Sequence, residues 1–304
     1  MDVIEFDTAF APVPGRVDQV SQLVRRLVCS NPGPFTFTGT NTYIVGSGEV
    51  AVIDPGPDNA EHWAALRAAL AGETVSRILI THTHRDHSPL AARLKALTGA
   101  PTAAFGPHGS GRIARARAVG GPELDAAGDL DFMPDIVLAD GAAVTGPGFT
   151  LTAVFTPGHT SNHLSFRLEE EQSLFSGDHV MSWATSVIAP PDGHMAQYMA
   201  SLERLIDAAD RQYWPGHGPG RSDPKPLVRA ILAHRRMREA AVLERIRAGD
   251  RTIAAITARL YAAVDPRLHG AAALSTLAHV EHLVEQGRVA AAGDITLEST
   301  FVPA

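Results

Sequence analysis

Apolar positions fall along this chain in two rhythms. In the first two thirds, short β-branched runs alternate with glycine and proline turns. Residues 42 to 45 and 50 to 53, separated by Gly46-Ser47-Gly48, predict a hairpin that Asp54-Pro55-Gly56-Pro57 ends. Trp63, Leu66 and Leu70 recur at three- and four-residue intervals, so residues 60 to 71 predict an amphipathic helix, followed by a strand over 75 to 80 and a helix over 90 to 97. Residues 99 to 148, rich in Gly, Pro and Ala, predict a short strand, a helix and loops. Strands are expected again at 149 to 155, 164 to 168 and 173 to 175, each ending beside a residue able to bind metal, and a helix at 195 to 208. From Asp223 onward the rhythm lengthens into helices over 226 to 248, 252 to 261 and 271 to 286, and Gly293-Asp294 can turn a hairpin within 290 to 301. Three helices and a hairpin outline a winged helix. The change of rhythm divides the chain into a domain of residues 1–221 and a small helical one of 222–304.

Composition narrows the class. With 304 residues, 45% hydrophobic and 19% charged, the chain can bury one large core and a small one. A net charge of −7 argues against binding nucleic acid or acidic membrane by overall charge alone. The single cysteine, Cys29, excludes an internal disulfide and reads as a packed small residue. The amino terminus lacks the basic and apolar regions of a secretory signal, and no apolar run approaches the roughly 18 to 20 residues of a membrane helix. A cytoplasmic enzyme without membrane contact is the expectation.

The chemistry concentrates after the strand at 75 to 80. Thr81-His82-Thr83-His84-Arg85-Asp86-His87 offers four ligand-type side chains within six residues, the imidazoles and carboxylates that zinc-class ions accept at neutral pH. In extended chain His82 and His84 point to one side, whereas His87 needs a turn, so the segment can serve one ion or two. Two further strand ends each present one more group, Thr156-Pro157-Gly158-His159 and Phe175-Ser176-Gly177-Asp178, and Trp214-Pro215-Gly216-His217-Gly218 holds another histidine between glycines. A carboxylate such as Asp178 can bridge two cations and screen their repulsion.

This order of motifs resembles the metallo-β-lactamase superfamily, whose His-x-His-x-Asp-His string, later histidine, bridging aspartate and final histidine are all matched. The resemblance implies an α/β (α+β) fold, an αββα sandwich with a small carboxyl-terminal winged-helix-like domain. It also implies one metal held by His82, His84 and His159, a second by Asp86, His87 and His217, and Asp178 between them. The complete ligand set looks more like the branches that cleave thioesters, lactones or phosphodiesters than like the β-lactamases. Thr40-Asn41-Thr42-Tyr43 and His234-Arg235-Arg236-Met237-Arg238-Glu239, ahead of a winged-helix outline, resemble the lactamase-beta-2-like branch, which includes a single-strand endoribonuclease.

Two divalent ions, zinc by ligand type with iron or manganese accepted by the same groups, lower the pKa of a shared water so that hydroxide becomes the nucleophile. Asp86 is expected to orient it or pass a proton to the leaving group. Asp54, at a strand end, is a candidate to orient a ligand histidine, with a plain turn role as the alternative, and His163 is a candidate to donate to substrate, with a structural polar role preferred. His179 should point away, while Trp183, His194 and Tyr198 should pack in the core or at the rim. The preferred substrate is a small acyl compound: a thioester, a lactone or a related ester. Single-stranded RNA is the alternative, carried by Arg235, Arg236, Arg238, Arg245 and Arg247, although interleaved Glu239 and Glu244 make that helix read as a solvated face. A winged-helix regulator is disfavoured, because the would-be recognition helix, 271 to 286, carries Glu281 and Glu285 and no Lys or Arg. The small domain is expected to cover the active-site mouth or to make a homodimer contact.

Overall fold

The structure, a computed structural model, describes residues 4–114 and 127–304. Its first sheet runs in chain order through β1 (Val17–Gln19), β2 (Val24–Val28), β3 (Asn41–Ser47), β4 (Glu49–Ile53), β5 (Thr74–Leu79), β6 (Thr102–Ala104) and β7 (Ile136–Val137). β3 and β4 are the antiparallel hairpin expected from Gly46-Ser47-Gly48. Helices α1 (Ala60–Ala69) and α2 (Leu90–Thr98) carry the chain from β4 to β5 and from β5 to β6, so those pairs are parallel. The second sheet has the order β13-β12-β11-β10-β9-β8, from β8 (Ala143–Gly146), β9 (Phe149–Phe155), β10 (Leu164–Leu168), β11 (Ser173–Gly177), β12 (Gln212–Pro215) and β13 (Arg221–Ser222). Among the described residues of 99–148 there are three short strands and no helix, and 115–126 of that stretch lie outside the described residues.

Alternation along the strands builds the layers. Tyr43, Val45, Ala51 and Ile53 face Phe149, Leu151, Phe166 and Phe175 between the sheets, and form the central core. Ile44, Val50, Val52 and Ile78 point the other way, against Leu66 and Leu94 of α1 and α2. On the far side Val154, Leu174 and Tyr213 are covered by Leu202 and Leu205 of α3 (Met195–Asp207) and by Leu227, Val228 and Ile231 of α4 (Lys225–Arg247). The order is helix, sheet, sheet, helix. β1, β2 and β12 were not foreseen: Arg25 and Arg26 interrupt the apolar run of β2, where Arg25 pairs with Glu73 at 2.6 Å and Arg26 lies over the Phe10 ring.

The last part of α4 begins a separate core. Val242, Leu243 and Ile246 pack with Ile253 and Ile256 of α5 (Ile253–Leu260), with Leu277, Val280 and Leu283 of α6 (His269–Glu285), and with Val289 and Phe301 of the antiparallel pair β14 (Val289–Ala291) and β15 (Phe301–Pro303). This is the expected winged-helix outline. α6 is not free to enter a groove of nucleic acid, because Ala278 joins the α3–α4 core and Glu285 pairs with His194 at 2.9 Å. No helix among the described residues is long and apolar enough to cross a membrane.

Candidate metal centre

All seven ligand-type side chains meet at one end of the two sheets. The His-rich segment leaves β5 of the first sheet, and His159, Asp178 and His217 leave β9, β11 and β12 of the second. Backbone bonds hold the two sheets together here: Leu164 N–H donates to Thr81 O at 2.7 Å, and Asn41 N–H to Gly216 O at 2.8 Å. The Asn41 amide also donates to Pro215 O and Gly218 O, fixing the turn that presents His217. The turn required at His87 is present, since its N–H donates to His84 O at 2.9 Å.

His82, His84 and His159 converge, with His82 Nε2 and His159 Nε2 at 3.0 and 3.1 Å from His84 Nδ1. One proton cannot satisfy both contacts. Burial holds His84 down to about 3 and His82 well below the usual histidine value, which disfavours charge on both, and each of the three side chains turns a nitrogen towards a common space. Asp86, His87 and His217 form the second group, with His217 Nε2 at 3.1 Å from Asp86 Oδ2 and 3.3 Å from His87 Nε2. Asp178 stands between the groups, 3.3 Å from His217, 3.5 Å from His87 and 3.8 Å from His159, and its buried Oδ1 has no hydrogen-bond partner. Burial opposes charge on His217, but Asp178 and Asp86 push it up to about 9. Clustered acceptors and an orphaned carboxylate oxygen are the surroundings that divalent cations fit.

The outward ring nitrogens are fixed. Asp54 Oδ2 accepts from His87 Nδ1 at 3.0 Å and from Thr81 Oγ1 at 2.6 Å, and Thr81 Oγ1 in turn lies 3.0 Å from His82 Nδ1. One carboxylate therefore orients a histidine in each group, in a backbone of positive φ (49°) that a non-glycine residue adopts only when held there. His159 Nδ1 donates to Val187 O at 2.7 Å, and His217 Nδ1 to Gly39 O at 3.2 Å. His163 takes the structural role preferred for it over contact with substrate: it is fully buried, stacked on His82 with Nδ1 2.8 Å from Thr156 Oγ1. His179 is likewise buried, against Tyr198. Burial pushes the Cys29 thiol up to about 12, in keeping with a packed residue.

A cavity of about 650 Å³ opens from His84, Asp86, His159 and Asp178 towards the C-terminal helices. Its walls are mainly apolar, with Met181, Trp183 and Val187 on one side and Val264, Leu268 and Leu274 on the other. Trp183 thus lines the cavity while stacking on Phe37 at 4.8 Å, whereas Tyr198 is core and His194 caps α3. Arg235 also corrects its expected place on a solvated face: it is 3% exposed and lines this cavity. Its position was legible in the spacing, because Arg235 and Glu239 continue the stripe of Val228, Ile231 and Leu232 towards Val242 and Ile246.

A family model described as metallo-beta-lactamase superfamily matches residues 35–217, and one described as beta-lactamase associated winged helix domain matches 252–297. An atrochrysone carboxyl ACP thioesterase of Aspergillus fumigatus is 34% identical over 268 residues, covering 83% of this chain and 76% of that protein. A beta-lactamase-like protein 2 homolog of Caenorhabditis elegans is 32% identical over 232 residues, 75% of this chain and 72% of its own. Among solved structures, a beta-lactamase domain protein from Burkholderia ambifaria superposes with a TM-score of 0.78 at 22% identity, over 99% of this chain and 97% of that one. A metallo-beta-lactamase family protein from Thermus thermophilus gives 0.73 at 24%, over 94% and 100%. These two likenesses concern the fold.

Proposed function

Since the chain belongs to the metallo-beta-lactamase superfamily and is a metal-dependent hydrolase, we propose that it cleaves thioesters of bulky, largely apolar acyl groups. The observation that carries this reading is the apolar cavity beside the ligand cluster: an acyl chain or fused ring fills it, and the scissile carbonyl is left among His84, Asp86, His159 and Asp178. The thioesterase names of relatives at 34% and 32% identity support the same bond. We assign His82, His84 and His159 to one cation, Asp86, His87 and His217 to the other, and Asp178 to both. We also divide the chain at residue 221, between the matched spans.

When bound, two divalent cations supply Lewis acidity, which makes a water nucleophilic at neutral pH and polarises the acyl carbonyl. The protein does the rest. Asp54 locks the His87 ring and, through Thr81, the His82 ring, so their inward nitrogens are set before substrate arrives. Asp86 borders the cavity, 3.1 Å from His217 Nε2, so its carboxylate can accept a hydrogen bond from the attacking water and orient it. A thiolate leaves without a strong acid, since an ordinary thiol has a pKa of about 8.5. That suits a cavity whose bordering histidine, His234, burial holds down to about 4.

RNA fits these surroundings less well. Arg236, Arg245 and Arg247 are paired with Glu203, Asp250 and Glu244, Arg238 lies over Tyr261, and Arg235 is buried. The test is metal analysis joined to a hydrolysis screen over aryl and alkyl thioesters, lactones, β-lactams and single-stranded RNA, with His84→Ala as control. Bulky thioesters should turn over fastest and the control should not. Faster cleavage of RNA or of a lactone would overturn the thioester reading.

A further inference from the structure

The motif around Arg235 is not used by the chemistry above, yet Arg235 is among the most deeply placed charges of the chain. Its guanidinium donates to the carbonyl of Ser186 and lies 5.3 Å over the ring of Tyr198, while its Nε has no partner. Burying a permanent cation is costly unless its contacts serve something. Two connections lead from those contacts to the ligand cluster. The Ser186 hydroxyl donates to Asp178 O at 2.5 Å, with His179 O at 3.1 Å, and the Tyr198 hydroxyl donates to His179 O at 2.9 Å. The next carbonyl, Val187 O, accepts from His159 Nδ1 at 2.7 Å. One short stretch of loop therefore fixes both the ring of His159 and the backbone of Asp178, and α4 holds that stretch through Arg235.

We propose that Arg235 is a positioning residue for the metal centre: by clamping the Ser186–Val187 loop it presets His159 and Asp178, so that a helix of the C-terminal part sets metal affinity. This rests on the ligand assignment proposed above. Outer partners of metal ligands typically change affinity about 10- to 100-fold, and Arg235 should act within that range through its loop. A guanidinium that contacted substrate instead would change KM and leave metal affinity alone.

The experiment compares the full chain with Arg235→Met, Arg235→Lys, Ser186→Ala and His84→Ala, reading zinc affinity by chelator competition and the visible spectrum of the cobalt-loaded protein. Arg235→Met should lose about 10- to 100-fold in zinc affinity and shift the cobalt spectrum, Arg235→Lys should recover part of both, and Ser186→Ala should weaken affinity in the same direction. Folded Arg235→Met and Ser186→Ala proteins that bind zinc as the parent does would overturn the proposal, as would a raised KM with unchanged zinc affinity. If Arg235→Met does not fold, Arg235→Lys, which keeps the charge but loses the planar fork, decides: zinc affinity and a cobalt spectrum identical to the parent's would overturn the proposal. A parent chain that binds no metal would overturn the ligand assignment itself; a binding parent with unaffected variants would overturn this inference alone.

Discussion

Asp54 concentrates the residue-scale argument, because one side chain accepts from Thr81 N–H, Thr81 Oγ1 and His87 Nδ1. Asp54→Asn keeps the shape but exchanges an acceptor oxygen for an NH2 that must face donors. We predict that zinc affinity falls by about 10- to 100-fold, while the melting curve shows the fold retained; unchanged affinity would mean that ring orientation does not limit binding. The proposed ligand residues were legible in the sequence because imidazoles and carboxylates cluster after a buried strand and recur beside glycine turns further along. Asp54 was half legible, as a strand-end aspartate whose partner histidine cannot be named without the fold. Ser186 and Val187 were not legible at all: Ser186 O and Val187 O are backbone atoms that any residue supplies, and the Ser186 hydroxyl bonds backbone carbonyls that no sequence pattern names.

At the scale of elements, the loop after β9 reaches His159 only because Gly158 lets it pass α3. Gly158 has φ +137°, and a Cβ there would lie 2.3 Å from Tyr198 Cα and 2.4 Å from Tyr198 N. Backbone cannot yield as a flexible side chain does. Gly158→Ala should therefore cost about 1–3 kcal/mol or more of stability, as overpacking does, and should weaken metal binding; a melting curve and a zinc titration check it. Between α4 and α6, Glu239 Oε2 lies 2.7 Å from His282 Nδ1. Burial works against the charge of Glu239, but His279 and His282 hold its carboxyl at about 2, below the ordinary 4.5. His282 is raised above 6.5, with burial opposing and Glu239 foremost among the groups that favour its charge. The contribution from Glu239 is present above pH 4.5 and is lost as pH falls towards 2, while that from His282 is full below 6.5 and is lost as pH rises through its raised value. The two shifts describe one contact, strongest between pH 4.5 and 6.5. Glu239→Gln should lower the melting temperature most in that window and progressively less on either side. A constant difference across pH would show that the ion pair is not its cause. The helices themselves were legible from apolar spacing; the buried face of α4 was misread because Arg235 and Glu239 count as solvent residues in any charge census.

The whole molecule brings the catalytic sheets and the C-terminal helices together around one space, and this is the scale at which the sequence said least. Val187 and Leu274 line the same cavity although 87 positions separate them, and neither carries a signature of its own. The small domain was expected to cover the mouth of the site or to make a homodimer contact, and α6 borders the cavity with Ala271, Leu274 and Ser275. If α6 forms the acyl wall, then enlarging Leu274 should discriminate among substrates by size. Leu274→Trp fills space beyond the ligand cluster without touching it, so an acetyl thioester, which needs only the carbonyl end, should keep its kcat/KM. For a bulky aryl thioester, kcat/KM should fall by about 10-fold or more, the scale on which apolar pockets discriminate by one or two methylenes. Equal losses for both substrates, with metal content and melting temperature unchanged, would place the acyl group elsewhere and leave α6 as cover only.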